Sequence, residues 1–270
     1  MTTTGAGAEL RRAKPSERER ERPEDTERPL PGPGIGVELT LQQELACALR
    51  ILAGTGFGEH IAGHITWADD VTPNLWANPW GKWWEEVQAS DIVAVDPDGH
   101  VVAGQWDVTP AVFLHTELHR VRPDARVVIH NHPYYATLLA AMGEAPRLVH
   151  QNACIFDGEL GVVDEYDGSI DDASSGARLA ERVGSASGVL LVSHGVIVTA
   201  PTIQEATYKA VTFERMCRMT YDVLRAGREP VEIPAPARAE MKALLKRNAP
   251  RVHWEGAVRQ LLRDEPEVLQ

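Results

Sequence analysis

Cysteine is scarce: Cys47, Cys154 and Cys217 are the three in 270 residues, odd in number and far apart. That excludes a disulfide framework and a cysteine-based zinc site, and the three read as buried or incidental thiols. No apolar run approaches the length of a membrane span and no signal-peptide pattern opens the chain, so a soluble, cytoplasmic protein with no membrane partner is expected. Basic charge is in deficit, with 27 Lys and Arg against 39 Asp and Glu and a net charge of −12. Nucleic acid is therefore not an expected partner, while a small anion could still bind in a locally positive site. A glycine-rich phosphate loop after a strand is also missing, which disfavours a doubly wound dinucleotide fold. What the chain does have is apolar residues, 43% of the total, enough for a substantial core in one large domain or two small ones.

Residues 1–36 mix Arg, Glu and Pro with almost no large apolar side chain. Such a segment cannot bury enough surface to offset its ordering entropy, so a disordered arm is expected there. Order begins near Leu39. Thr40 and Gln43 suggest a capping box, and Leu41, Leu45, Leu49 and Leu52 recur at helical spacing until Gly54 and Gly56. Strands are expected at 64–67, 91–96, the following HVVAG, 126–132, 152–156, 160–163 and the two runs GVLLVS and GVIVTA. Helices are expected at 110–121, at 134–142, from a cap at Asp171 or Asp172 to Val183, and from Pro201 in a first turn to Leu224. Two amphipathic segments, 236–247 and 252–264, close the chain. Helices interspersed with hairpin-type strands imply an α/β domain with a mixed, largely antiparallel sheet.

The chemistry concentrates in histidines. His130 and His132 lie two apart in RVVIHNHP, so an extended strand projects both to one side, and Pro133 stops the strand just beyond them. His194 follows a second apolar strand, in SHGVIV. Three neutral imidazoles suit zinc, iron, copper or nickel and leave coordination positions open for a reactant, as catalytic sites do. Either histidine of the pair alone reads as a polar strand end, but the pair together with a third histidine favours a metal. His115 and His119 are four apart on one helix face. His115 reads as lining the site and His119 as packing or surface. Trp67, Trp76, Trp80, Trp83 and Trp84 fall within eighteen positions, and could wall an apolar pocket or pack the core.

The order GHIT, NPWG, SD before an apolar strand, HTELHRVRPDARVVIHNHP and SHGVIV before a long helix resembles the class II aldolase/adducin family over about residues 38–225. The resemblance implies a three-layer fold with a catalytic domain over 37–230, a C-terminal helical extension over 231–270, and a homo-oligomer. It assigns His130, His132 and His194 to the metal. It places His64 where the aldolases have an asparagine that helps hold the substrate, Gly81 at a turn glycine, and Thr109 where phosphate is bound. His64 and His115 are the candidate catalytic residues, and Gly81, Thr109 and Tyr134 the candidate substrate contacts.

One departure stands out. Family aldolases carry a proton-transferring glutamate four residues before the position of His115, and here that residue is Ala111. An alanine cannot move a proton, and Glu117 falls on a different helical face. The chain is also similar to the branch of the family that makes oxygenases of aminocoumarin antibiotic biosynthesis. That likeness implies iron(II), with zinc or manganese as alternatives, a small aromatic 2-oxo acid and dioxygen. The reaction it implies shortens a prenylated 4-hydroxyphenylpyruvate through a mandelate to the 4-hydroxybenzoate. The alternatives are a zinc or manganese aldolase, a non-oxidative aromatic acid decarboxylase, and a non-catalytic adducin-like scaffold.

Overall fold

The computed structural model describes residues 32–270 apart from Asp167. Most of the expected N-terminal arm, residues 1–31, lies outside the described residues. Gly32–Gln270 form one compact unit. Its elements in chain order are α1 (Leu41–Gly54), β1 (His64–Ala68), β2 (Leu75–Ala77), β3 (Val93–Val95), β4 (Val101–Ala103), α2 (Val112–Val121), β5 (Val127–Asn131) and α3 (Tyr134–Met142). There follow β6 (Leu160–Val163), α4 (Ala173–Val183), β7 (Gly188–Leu191), β8 (Gly195–Ala200), α5 (Ile203–Arg225) and α6 (Ala235–Asp264).

The eight strands form one sheet in the order β4-β3-β2-β1-β5-β8-β7-β6. Every neighbouring pair is antiparallel except β6 with β7. Alternation along the central strands sorts side chains into two cores. Val127 and Ile129 of β5 and Val196 and Val198 of β8 join the core formed with α1, α3, α5 and α6. Val128 and Ile197 point the other way, onto Leu114 and Leu118 of α2 and Leu179 and Val183 of α4. The result is the three-layer arrangement, with a mixed and largely antiparallel sheet in the middle.

Local sequence explains most element ends. The Thr40 side chain accepts from the Gln43 backbone, and the Gln43 side chain accepts from Thr40 N–H, so the capping box is complete at α1. Asp172 caps α4 by accepting from Ser175 N–H at 2.7 Å. Four expectations need correction. The segment expected as a strand at 152–156 is a 3₁₀ helix, Gln151–Phe156. A short apolar run carries no period that separates the two, and here it packs against α5 and α6. Pro201 lies outside α5, because Thr202 is the N-cap and its hydroxyl accepts from Glu205 N–H. Strand β2 was not expected, since three residues are too few to show alternation. The two closing segments are one helix, α6, which runs through Pro250. Proline inside a helix costs about 3 kcal/mol. Beyond it, Trp254, Val258 and Leu261 are buried in the core, each worth roughly 1.5–3 kcal/mol, so tertiary packing outweighs the local break.

Candidate metal centre

His130 stands on β5 directly opposite His64 on β1. Because partners across an antiparallel pair share a face, His64, Thr66 and His130 all project toward α2. Asn131 faces the other way and acts as a clamp. Its amide donates to Phe57 O at 2.6 Å while its carbonyl accepts from His132 N–H at 2.8 Å, tying the loop before β1 to the end of β5. Gly63 is what lets that loop approach: its φ is +85°, and a Cβ there would sit 2.5 Å from the Asn131 side chain. His194 closes the turn between β7 and β8. The following Gly195 pairs with Leu191, and a Cβ on it would meet Asn131 O at 2.4 Å and the His132 ring at 2.6 Å. A glycine after His194 is therefore a steric condition for bringing His194 to His132.

These three histidines converge. One ring nitrogen from each of His130, His132 and His194 lies within 4.8 Å of the others, with ring centroids 4.8–5.0 Å apart. Their remaining bonds suit a cation. His130 Nδ1 is 2.9 Å from Val196 O. A carbonyl only accepts, so Nδ1 carries the hydrogen and Nε2 is a bare donor atom for a metal. His132 Nδ1 is 2.7 Å from the Glu59 carboxylate, and its Nε2 is buried with no hydrogen-bond partner. An orphaned, buried ring nitrogen beside two others fits a divalent ion.

Burial first, and then the neighbouring rings, holds His64, His130 and His194 in the neutral form that a metal needs. His130 is pushed well below the ordinary histidine range by burial and by His64, His194 and His132. Burial and His132 lower His194 to about 4, and burial with His132 and His194 lowers His64 to about 3.

His64 and His132 line a cavity of about 260 Å³ together with Ile61, Asn78, Pro79, Trp80 and Thr109. Among the described residues, no Asp, Glu, Lys or Arg lines it. Asn78 is tied down, its side-chain carbonyl accepting from Ile65 N–H at 2.8 Å. His115 does not reach this cavity; it is fully buried behind His64, with its Nε2 2.9 Å from His64 Nδ1. Gly81 is exposed with φ +87° and lies next to Trp80, outside the lining. Tyr134, 70% exposed, lines a different hollow with Tyr135 and Arg218. Ala111 precedes α2 as its N-cap residue. Glu117 is buried on the side of α2 that meets Gly176 of α4, away from the histidines. The tryptophans divide: Trp84 is core and donates to Gly63 O, Trp67 pairs with Trp76 across β1 and β2, and Trp80 alone of the five lines the cavity.

Two participants, Glu59 and Thr66, have no signal of their own in the sequence, and a third, His119, had only a weak one. Glu59 is 73 residues from the histidine it holds. Thr66 Oγ1 lies 2.7 Å from His115 Nδ1 and 2.8 Å from His119 Nε2. His119, expected as packing or surface, is thereby joined to the site. Its i, i+4 spacing from His115 was the available clue, and what it lacked was knowledge that β1 lies underneath.

Comparison with known proteins agrees with this fold. The model of the class II aldolase and adducin N-terminal domain matches residues 43–221. Decarboxylase NovR of Streptomyces niveus is 33% identical over 70% of this chain and 72% of its own length. The 4-hydroxy-3-prenylphenylpyruvate oxygenase/4-hydroxy-3-prenylbenzoate synthase of Streptomyces roseochromogenus subsp. oscitans is 32% identical over 69% of each chain. In fold, the L-fuculose 1-phosphate aldolase of Glaciozyma antarctica PI12 superposes with a TM-score of 0.73 at 22% identity, covering 85% of this chain and 92% of its own. The chain belongs to the class II aldolase/adducin family.

Proposed function

We propose that this chain is a metal-dependent oxidative decarboxylase of small aromatic 2-oxo acids, using iron(II) and dioxygen. Its substrate would be a 4-hydroxyphenylpyruvate, prenylated in the manner of the Streptomyces relative's. The observation that carries the reading is a three-imidazole cluster beside a cavity that, among the described residues, is lined by no carboxylate and no cation. Enediolate chemistry needs a base at the substrate carbon. The position of the family glutamate is Ala111, and Glu117 is turned toward α4. The cavity also offers no Lys or Arg to a sugar phosphate.

His130, His132 and His194 would hold a divalent ion, which would supply Lewis-acid activation of a 2-oxo acid and, as iron(II), redox chemistry with dioxygen. The protein's own part is to hold and to shape. His130, His132 and His194 supply the nitrogens, and Val196 O and Glu59 fix two of the rings. Ile61, Pro79 and Trp80 give the aryl group an apolar wall, and Thr109 places a hydroxyl at the same cavity. At about 260 Å³, the cavity suits an aryl acid. Arylpyruvate plus dioxygen gives the mandelate plus carbon dioxide. Mandelate plus a second dioxygen gives the benzoate, carbon dioxide and water.

The test is protein purified without oxygen, loaded with iron(II) and given 4-hydroxyphenylpyruvate and its 3-prenyl derivative. One dioxygen should disappear for each carbon dioxide released. Turnover under strict anoxia, or equal activity with zinc alone, would instead establish a lyase. That second reading is supported by the relative named simply as a decarboxylase and by the suitability of three histidines for zinc. A gain of aldol cleavage in Ala111→Glu would show that the missing base alone separates this chain from the aldolases. Keeping all three histidines argues against a scaffold. Ile61 and Trp80 line the cavity yet are 49% and 56% exposed, which supports a homo-oligomer whose second copy covers them.

A further inference from the structure

Two adjacent tryptophans grip the loop that reaches the metal centre. The loop is anchored at both ends: Phe57 O accepts from the Asn131 amide, and Gly63 O accepts from the indole N–H of the buried Trp84 at 3.3 Å. Between these anchors Glu59–Ala62 folds into a tight turn, closed by Ala62 N–H donating to Glu59 O at 2.9 Å. The turn serves two places at once. Glu59 meets His132 Nδ1, while Ile61 and Ala62 form part of the cavity lining.

The first central residue of the turn is the anomaly. His60 has a φ of +55°, in the left-handed region that glycine tolerates and a residue with a Cβ resists. Such a conformation persists only where its surroundings hold it. The His60 ring is packed against the ring of Trp83, with centroids 4.2 Å apart. Trp83 is itself firmly placed: its N–H donates to the Glu86 carboxylate at 2.9 Å, and its carbonyl accepts from Glu86 N–H at 3.0 Å. The same segment supplies Trp80 to the cavity lining, with Trp80 N–H donating to Asp107 O at 2.8 Å and Lys82 paired with the buried Asp91 at 2.8 Å. The contact of His60 with Trp83 therefore joins two segments that both line the cavity.

We propose that His60 and Trp83 are positioning residues whose packed rings form a clasp: through one turn they set both the hold of Glu59 on His132 and the place of Ile61 in the cavity wall. Metal affinity and the fit of an aryl group then answer to the same contact, although neither residue is a metal ligand. With the clasp open, the turn is free to leave the strained conformation, and Glu59 and Ile61 move together because a single residue separates them. The inference rests on the metal centre and cavity of the function proposed above, but not on the choice between oxygenase and lyase.

Competition for zinc between the full-length protein and a fluorescent chelator reads the clasp without turnover. An aromatic contact of this kind is worth roughly two- to tenfold in an equilibrium. Both residues are exposed, so Trp83→Ala should weaken zinc binding by about threefold. In the Glu59→Ala background the same substitution should change nothing, because the clasp acts on the metal only through Glu59; a general loosening of the fold would weaken both backgrounds alike. His60→Ala keeps the unfavourable φ and loses the ring, whereas His60→Gly loses both, so the alanine variant should bind zinc more weakly than the glycine variant. Once the reaction is assayed at saturating metal, Trp83→Ala should raise KM for 4-hydroxyphenylpyruvate about threefold with kcat nearly unchanged. Zinc binding unmoved by Trp83→Ala, or weakened equally with and without Glu59, overturns the proposal. If Trp83→Ala does not fold, the order of the two His60 variants decides. A parent protein that retains no zinc would overturn the metal centre and the clasp together, while an intact cycle with no turnover of the aryl acid would count only against the reaction assignment.

Discussion

Glu59 is the residue through which metal affinity can be changed without touching a ligand. Its carboxylate lies 2.7 Å from His132 Nδ1, the length of a charge-assisted bond. It holds the ring at the angle that turns Nε2 toward His130 and His194, and it makes the ring a better electron donor. Outer partners of this kind are worth about 10- to 100-fold in metal affinity. The Glu59 side chain is 51% exposed, so solvent weakens the contribution and the lower end applies. Glu59→Ala is expected to cost about tenfold, close to 1.4 kcal/mol. Glu59→Gln keeps a carbonyl that can accept from Nδ1–H and loses only the charge, so about threefold is expected. Competition against a fluorescent chelator, with zinc or iron(II), measures both. His132→Ala is the control and should abolish retention, while the melting temperature of the Glu59 variants stays put because Glu59 is outside both cores. Glu59→Ala with an affinity within twofold of the parent would refute the reasoning: Asn131 and Gly195 alone would then be holding the His132 ring.

Other perturbations have equally definite outcomes. Gly195→Ala forces a Cβ against Asn131 O and the His132 ring, so metal affinity should fall at least tenfold and stability by about 1–3 kcal/mol, read by chelator competition and thermal melting. Acid should destabilise the fold in two stages. His119 is lowered to about 4 by burial, partly opposed by the Ala125 backbone bond. The unfolded chain therefore takes up a proton below pH 6.5 that the folded chain refuses, and about 3 kcal/mol present above pH 6.5 is lost by pH 4. Burial raises Glu159, but Lys242, Ser187 and Lys209 outweigh it and leave the carboxylate well below its ordinary range. Its contribution is present above about pH 4.5 and disappears as pH falls further. A melting temperature flat from pH 7 to pH 4 contradicts the His119 assignment, and one flat from pH 4 to pH 2 contradicts that of Glu159. Cys47, Cys154 and Cys217 are all buried and unpaired, and burial first, then Glu44, pushes the Cys47 thiol up to about 12. Native protein should therefore resist alkylation at pH 8, and labelling of all three before unfolding would be inconsistent with this packing.

The convergence of His130, His132 and His194 could be read from the sequence because it is built from local rules. Residues two apart on a strand share a face, which links His130 to His132, and a histidine between two apolar runs marks the hairpin that carries His194. The layers were legible for the same reason, since Val127 to Ile129 and Val196 to Val198 alternate between two cores. The connections between distant elements were not. Glu59 is one acidic residue among 39 Asp and Glu, and only the folding of the loop before β1 onto Asn131 selects it. Thr66 sits 49 residues from His115 and 53 from His119, and no spacing rule reaches across a helix packed on a sheet. Gly81 had a family position to recommend it and Tyr134 its place just after the strand of His130 and His132, but both stand outside the cavity of a single chain. The continuity of α6 through Pro250 was hidden because the proline is a local signal, while the packing of Trp254 that overrides it is not.

A single register on β1 accounts for both the metal centre and the line of histidines behind it. Pairing His64 with His130 and Thr66 with Val128 puts His64 beside the metal ligands and Thr66 beneath α2 on the same face. Ile65 and Trp67 go to the opposite core. A slip of one residue would exchange these sets, burying His64 and Thr66 among Leu45, Leu49 and Phe57 and leaving His115 and His119 facing an isoleucine and a tryptophan. No partial version of the site survives that exchange, because the imidazoles of α2 would lose the hydroxyl that joins them at the same moment that His64 left the cavity. The hydrophobic alternation of β1 therefore does more than place the strand in the sheet. By fixing which core receives Ile65, it also fixes which histidines can act together.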